Sequence, residues 1–293
     1  MTVTAPHHAQ DLLELRRHWP LAQRPPWRAH LVQLELNGGK TTAAQLDTLA
    51  QQPQATALTV SGLENRTLEH LVRRFGPQFT AVHFWKCPRL EDLSPLQDMP
   101  QLRYVAFYWN QRAQHLWDFK RTPALRGLHF DDFRKLRRLD ALAAATSLDT
   151  LVFGNAVWDT FAVETLEPLA ALGANLRTLA FSAASVGDGR LGPLASLQGL
   201  TSLDFPRSLF SMEQLAWLRA RLPATVEAAV LSPHRKLAQP VKRRGVELDV
   251  VLSGSPGVLL SSTNDRERLQ RREEEFGALV ERYAREALPE PVG

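Results

Sequence analysis

The sequence predicts an α/β solenoid, in which short strands stack into one parallel β-sheet and short helical returns lie behind it. Three observations predict this fold class. The pattern apolar-x-x-apolar-x-apolar occurs eight times, the intervals between occurrences are 24, 24, 23, 23, 23, 28 and 24 residues, and a second apolar cluster follows each occurrence. Periods of this length are typical of repeat architectures, whose units bury their apolar sides only by stacking on their neighbours.

The first half of each unit has the pattern of a strand. The units are predicted to begin at Leu31, Ala55, Phe79, Leu102, Leu125, Leu148, Leu176 and Leu200. Their fourth position is always apolar, starting with Leu34 and Leu58. The sixth position, which starts with Leu36 and Val60, is Phe in the six following units: Phe84, Phe107, Phe130, Phe153, Phe181 and Phe205. Equivalent positions of stacked units lie above one another, so the pattern predicts a column of Phe rings in the core.

The second half of each unit has apolar residues at helical or turn spacing, about 14 to 18 residues after the unit begins, as in Leu93/Leu96 and Leu191/Leu194. The stretches "LEDLSPLQDMPQLRYVAF" and "LGPLASLQGLTSLDF" resemble the leucine-rich repeat family, in particular its short-unit bacterial and SDS22-like members. The resemblance implies a horseshoe-shaped solenoid of about eight units, capped at both ends, with a concave parallel β-sheet. The family carries Asn or Cys at the ninth position of a unit, where Cys87 and Asn110 match it and the other units depart from it.

Three regions follow from the limits of the repeat. Residues 1–27 are predicted to form an N-terminal cap, residues 28–222 the solenoid, and residues 223–293 C-terminal strands followed by a capping helix. The strands are expected in "TVEAAVLS" and "GVELDVVLS". Asn264 and Glu267 have the spacing of a capping box and predict the start of the helix. A cap is the favoured interpretation of this helix, and a helix that binds a partner is the alternative.

Composition limits the function classes. The formal net charge of +4 permits nucleic-acid binding without requiring it. The single cysteine excludes an intrachain disulfide, and there is neither an apolar N-terminal leader nor an uncharged stretch long enough to cross a membrane. We therefore expect a cytoplasmic protein that does not bind a membrane.

No motif predicts an enzyme, a cofactor or a metal site, and a module that regulates an enzyme is an alternative to protein recognition. "NGGKTT" lacks the first Gly of a phosphate-binding loop, since position 34 is Leu, and is interpreted as a tight turn. Cys87 is expected to be a buried residue of the repeat and not a catalytic thiol. His7, His8 and His18 have no other ligands at metal spacing.

Three basic runs keep a nucleic-acid alternative open. They are "RKLRR" at 134–138, "HRK" at 234–236 and "KRR" at 242–244. A solvated return side is the favoured interpretation of the first and densest run. Binding of a nucleic acid or another polyanion is the alternative.

The outward positions of the strands predict a partner-binding patch. Positions three, five and seven of a unit point away from the core, and position eight follows at the edge of the sheet. In the central units these positions hold aromatic, histidine and charged residues, whereas the end units have small polar ones. Neighbouring strands lie about 4.8 Å apart, so side chains on three adjacent strands can form one patch roughly 10–15 Å wide. The predicted site consists of His83, Trp85, Lys86, Tyr104, Tyr108, Trp109, His129, Asp131 and Asp132. Trp158, in the long interval after the sixth strand, is predicted to form a flap beside the patch. Exposed aromatic residues with acidic neighbours favour recognition of another protein, and stiffening of the sheet is the alternative.

Overall fold

The computed structural model describes residues 28–154, 161–243 and 245–292. The predicted N-terminal cap and the predicted flap at Trp158 lie outside these residues.

The main sheet contains eight parallel strands in the order of the chain. Equivalent residues of neighbouring units are paired, so Val82, Val105 and Leu128 lie side by side. The leucine-rich-repeat solenoid that the sequence predicts is therefore confirmed. The strands are β1 (Arg28–Leu31), β2 (Ala57–Val60), β3 (Ala81–Trp85), β4 (Tyr104–Asn110), β5 (Gly127–Phe133), β6 (Thr150–Gly154), β8 (Thr178–Ser182) and β10 (Ser202–Asp204). Two further short strands, β7 (Ala162–Val163) and β9 (Ser185–Val186), form a separate parallel pair.

The returns contain two α-helices, α1 (Ala43–Asp47) and α2 (Asn65–Phe75), and otherwise 3₁₀ turns. In the turns at 94–98, 167–172 and 192–196, Pro occupies one of the first two positions, where its fixed φ suits the start of a helical turn. Among the described residues, the 3₁₀ segments lie at 48–51, 76–78, 94–98, 119–121, 140–144, 167–172, 192–196 and 229–231.

The predicted Phe column forms the centre of the core. The rings of Phe84 and Phe107 are stacked with centroids 4.5 Å apart. The rings from Phe130 through Phe205 are stacked at 5.2–5.3 Å. Phe133 joins the two halves of the column, with its ring edge-on to Phe107 at 5.4 Å and to Phe130 at 5.6 Å.

The predicted register of the first unit is wrong by five residues. Ala29 pairs with Leu58 and therefore occupies the fourth position that was predicted for Leu34. Leu34 and Leu36 are 98% and 88% exposed. The chain leaves β1 after Leu31 and turns at 35–38, where the Gly38 N–H donates to the Glu35 carbonyl at 2.9 Å. "LVQLEL" imitates the repeat pattern, but only its first residue, Leu31, belongs to β1 and the other five lie in the loop that follows the strand.

In units three and four, the ninth position holds Cys and Asn, the two kinds of residue that the resemblance implies. Asn110 is buried, and its Nδ2 donates to the Leu90 carbonyl at 2.8 Å. Its Oδ1 accepts from the backbone N–H groups of Arg112 and Ala113 at 3.0 and 2.8 Å. Cys87 is also buried, 3.8 Å from the Val60 carbonyl. In unit five Phe133 replaces the polar residue and packs into the Phe column instead.

The C-terminal region begins with α3 (Met212–Arg221), which starts with a capping box between Ser211 and Gln214. A three-stranded sheet follows, made of β11 (His234–Arg243), β12 (Val246–Leu252) and β13 (Leu259–Leu260). The strand predicted in "GVELDVVLS" is confirmed as β12. The one predicted in "TVEAAVLS" is wrong, because only Glu227 forms a bridge, to Ser202, and residues 229–231 are a 3₁₀ turn.

The last helix, α4 (Arg266–Arg285), joins this sheet to the solenoid. Its predicted capping box is wrong, because the N-cap is Asp265, one residue later, and the Asp265 side chain forms no capping hydrogen bond. Leu269 packs with Val250 and Leu260 of the small sheet. Phe276 and Tyr283 belong to the same buried cluster as the Phe column.

The segment after α4 returns to the last units of the solenoid. The Leu288 carbonyl accepts from Trp217 Nε1 at 3.1 Å. The Glu290 carboxylate accepts from the backbone N–H groups of Leu191 and Gly192 at 2.6 and 3.0 Å. Leu288 and Glu290 thus bind the segment after α4 to the last units of the solenoid.

Candidate protein-recognition site

The predicted patch lies on the central strands β3, β4 and β5. Trp85, Tyr108 and Asp131 are direct neighbours in the register of the sheet. The Trp85 and Tyr108 rings are stacked with centroids 4.5 Å apart, and His83 meets the Trp85 ring edge-on at 5.7 Å. Period-two alternation along the strands, together with equal unit lengths of 23 residues, brings these side chains to one face.

The eighth position has an unusual backbone in consecutive units. Gly62, Lys86, Trp109 and Asp132 all have positive φ values, of 63°, 54°, 64° and 56°. The left-handed conformation suits Gly, but it is unfavourable by about 1–2 kcal/mol for residues with a Cβ. Lys86, Trp109 and Asp132 are the only residues other than Gly with positive φ in the part of the chain described here.

Lys86 links this row to the aromatic rings. Its Nζ lies 5.5 Å from the centroid of Trp85 and 5.9 Å from that of Trp109. An ammonium group so placed is attracted by the electron-rich faces of both indoles. The same Nζ donates to the Leu36 carbonyl at 3.0 Å. We refer to Trp85, Lys86, Tyr108 and Trp109, all of intermediate exposure, as the aromatic edge.

Five other predicted site residues are on this face but are buried, against the expectation that they are exposed. They are His83, Tyr104, His129, Asp131 and Asp132. Tyr104 packs with Ala57, Ala81 and Ala106, whose small side chains leave room for its ring. His129 Nε2 lies 3.0 Å from Asp131 Oδ2 on the same strand. Pointing away from the core is therefore not the same as being exposed, and a His129→Ala substitution is not expected to be neutral.

The loop at 32–40 is a part of the site that the sequence analysis missed. Ser61 Oγ donates to the Gly38 carbonyl at 2.9 Å, and a Cβ on Gly38 would lie 2.1 Å from the Lys86 carbonyl oxygen. The loop is thereby held next to Lys86 and presents the exposed Leu34 and Leu36 there. The signal in the sequence is Asn37-Gly38-Gly39, since such residues mark a turn and not the end of a strand.

The other candidate motifs have structural roles. "NGGKTT" is a turn in which Thr42 forms a capping box with Gln45 at the start of α1. In the run at 134–138, Leu136 is buried and Arg138 Nε forms an ion pair with Asp140 Oδ2 at 2.8 Å. The described residues contain no group of three or more His, Cys, Asp or Glu side chains that could hold a metal ion. Nor does any helix among them combine the length and the apolar character that crossing a membrane requires.

Cys87 provides a test of the core at the ninth position. Burial raises the pKa of its thiol to about 12, from an ordinary value of 9.0. We expect no alkylation of native protein by iodoacetamide at pH 8–9 and rapid alkylation after denaturation, measured by mass spectrometry. Between the two pKa values the unfolded chain loses the thiol proton and the folded chain keeps it, so this group lowers stability as the pH rises above 9.0. Rapid labelling of the folded protein would contradict the assigned burial.

Comparisons with known proteins find similar solved structures at low sequence identity. No family model and no curated protein matches the chain. A leucine-rich-repeat protein of Leptospira interrogans aligns with 66% of this chain and 47% of its own, at 13% identity and a TM-score of 0.46. Internalin C2 of Listeria monocytogenes aligns over 64% and 73%, at 20% identity and a TM-score of 0.40. A second internalin of that organism aligns over 64% and 63%, at 17% identity and a TM-score of 0.37. The chain thus spans about half the length of the Leptospira protein.

Proposed function

We propose that this protein is a binding protein and not an enzyme, and that it recognises another protein through the aromatic edge. His83, Tyr104, His129, Asp131 and Asp132 are buried on the same face, and the His83 ring supports Trp85 by its edge-on contact. The observation that carries the proposal is the left-handed backbone at Lys86, Trp109 and Asp132. Gly at the equivalent position of the preceding unit, Gly62, shows that a side chain is not needed there for the fold.

The reason is the free-energy cost of this backbone. Each of the three residues is less favourable than Gly by about 1–2 kcal/mol, and conformations of this kind are concentrated at functional sites. Lys86 and Trp109 provide a surface on which a cation lies next to the rings of Trp85 and Trp109. The carboxylate of Asp132, one unit beyond, is buried. Aromatic rings and charges so arranged are typical of the anchor residues of protein interfaces.

The loop at 32–40 extends the proposed site with apolar surface. Leu34 and Leu36 are almost fully exposed, and Leu36 is joined to the aromatic edge by the hydrogen bond from Lys86. Exposed large apolar residues next to aromatic ones favour a partner that covers both. The single buried cysteine agrees with a reducing compartment, so the proposal places this recognition in the cytoplasm, in a bacterial setting that the repeat type suggests.

Trp109→Gly tests the proposal without disturbing the backbone. We expect affinity for the partner to fall by at least ~2 kcal/mol, about 30-fold, because a central aromatic anchor is lost. The free energy of unfolding should change by no more than about 1 kcal/mol, since Gly relieves the left-handed strain while the side-chain contacts disappear. The partner is captured on immobilised protein from a lysate of the native organism, and its binding is then measured with purified components.

Thr178→Ala is the matched control, because Thr178 is on the same face of the sheet in a small polar region. It should bind the captured partner as the unchanged protein does. Undiminished binding by Trp109→Gly, or an equal loss with both variants, would show that the aromatic edge is not the recognition site and only stiffens the sheet.

A further inference from the structure

The net positive charge of this protein is concentrated in the segment that contains the hairpin of β11 and β12. Residues 234–248 contain five Lys or Arg and one Glu. Taking these away from the chain's 35 basic and 31 acidic residues leaves 30 of each, so the net charge of +4 resides in these 15 residues. Residues 234–236 and 242–243, which belong to two separate basic runs of the sequence, both lie in β11 and therefore in one hairpin.

Four basic side chains of β11 are exposed, namely Arg235, Lys236, Lys242 and Arg243. No ion pair within 4.0 Å joins any of the four to a carboxylate among the residues described. At the base of the hairpin, His234 Nε2 lies 2.7 Å from Glu273 Oε1. Most of the cationic charge is therefore available to a ligand.

The acidic groups nearby do not change this conclusion. The Asp249 carboxylate accepts from Ser262 N and Ser262 Oγ at 2.7 and 2.6 Å. These hydrogen bonds, with a smaller contribution from Lys236, hold the pKa of Asp249 below its ordinary value. Glu247 lies opposite Lys242 in the register, and one exposed carboxylate offsets only a part of the hairpin's charge.

The hairpin has the shape of a ribbon with cations on both faces. Because side chains alternate along a strand, Arg235 and Lys236 point to opposite faces, as do Lys242 and Arg243. From Arg235 to Arg243 the strand extends at most about 26 Å. β11 is the outer strand of its sheet, and Pro240 in it is typical of an edge strand.

A two-stranded ribbon of this kind fits the major groove of duplex DNA. That groove is about 12 Å wide and admits such a ribbon, with phosphates along both of its walls. The major groove of A-form RNA is deep and too narrow for protein side chains to read. Insertion into a membrane needs large apolar side chains at the tip, whereas the exposed apolar residues here are Val241 and Val246, next to Lys242 and Arg243.

We propose that the β11–β12 hairpin binds duplex DNA through its phosphates, with Arg235, Lys236, Lys242 and Arg243 as the contacting residues. This activity is separate from protein recognition at the aromatic edge, and either can fail without the other. The contacts are to the backbone, so binding should depend strongly on salt and weakly on base sequence.

The test measures fluorescence anisotropy of a labelled mixed-sequence DNA duplex of about 24 base pairs at several salt concentrations between about 50 and 200 mM. The full chain is compared with the double variant Lys242→Glu/Arg243→Glu. We expect the variant to bind at least about tenfold more weakly at the lower salt, and the slope of log affinity against log salt to become smaller by nearly 2, since two phosphate contacts are lost.

The control is Arg134→Glu/Lys135→Glu, which changes the net charge equally at two exposed residues of the return side. It should bind DNA within about threefold of the unchanged protein, because only long-range attraction is altered. Circular dichroism verifies that both variants are folded.

Four results would overturn the proposal. They are no binding of the duplex at the lower salt, an equal loss in the two double variants, equal or tighter binding of duplex RNA of the same sequence, and tighter binding of phosphatidylserine vesicles than of DNA. The third and fourth would assign the hairpin to RNA or to an anionic membrane surface instead.

Discussion

Phe130→Ala is expected to lower the free energy of unfolding by about 3–5 kcal/mol, as other truncations of buried Phe do. Phe130 is fully buried, stacked on Phe153 at 5.3 Å and edge-on to Phe133 at 5.6 Å. Its loss leaves a cavity where the two halves of the Phe column meet. Denaturant unfolding followed by circular dichroism measures the change.

Thr178→Ala again serves as the control, because Thr178 is on the opposite face of the sheet from the column and is only partly buried. It should change the free energy of unfolding by less than about 1 kcal/mol. Similar small losses for both variants would mean that the column does not carry the core. The denaturant slope should also be compared, since repeat proteins can unfold unit by unit.

Removal of residues 264–293 is expected to make the protein aggregate or unfold at a clearly lower temperature. The deletion takes away Phe276 and Tyr283, which are buried in the main core, and each buried aromatic side chain contributes about 1.5–3 kcal/mol. It also exposes the surface of α3 and removes the bonds of Leu288 and Glu290 to the last units. Thermal unfolding and size-exclusion chromatography measure the outcome.

A double substitution distinguishes the effect of losing buried side chains from the effect of deleting the whole segment. Phe276→Ala/Tyr283→Ala should reproduce most of the destabilisation, whereas Glu274→Ala, an exposed residue of the same helix, should change little. A deletion that stays monomeric with an unchanged melting temperature would contradict the capping role of α4 and favour its role as a partner-binding helix.

The register of a repeat unit was predictable from the sequence wherever the neighbouring units have the same pattern. Units two to eight have the predicted register, because Leu, Val and Phe recur at positions that only one stacking satisfies. The first unit has a neighbour on one side only, and the exposed Leu34 and Leu36 fit the pattern better than Ala29 does. The repeat pattern at residues 31–36 therefore predicted a strand in the wrong place, although the adjoining Asn-Gly-Gly indicates a turn.

The sequence predicted which residues lie on the face of the candidate site, but not which of them are exposed. Strand alternation identifies the face to which His83, Tyr104 and His129 belong, but burial depends on neighbouring side chains that period two does not describe. The left-handed backbone was not predictable from Lys86, Trp109 or Asp132 themselves, since such residues rarely adopt it. The nearest signal is Gly62, one unit earlier at the same position.

Because the backbone at the eighth position of consecutive units is left-handed, its side chains can change without a change in the fold. Hydrogen bonds such as that from the Lys86 N–H to the Tyr108 carbonyl hold the backbone there regardless of the side chain. Glycine adopts this backbone without strain, and a residue that replaces it does so at a local cost of about 1–2 kcal/mol that leaves the core unaffected. Relatives of this protein could therefore exchange the side chains of this row, one unit at a time, and acquire new partners without any change in the core.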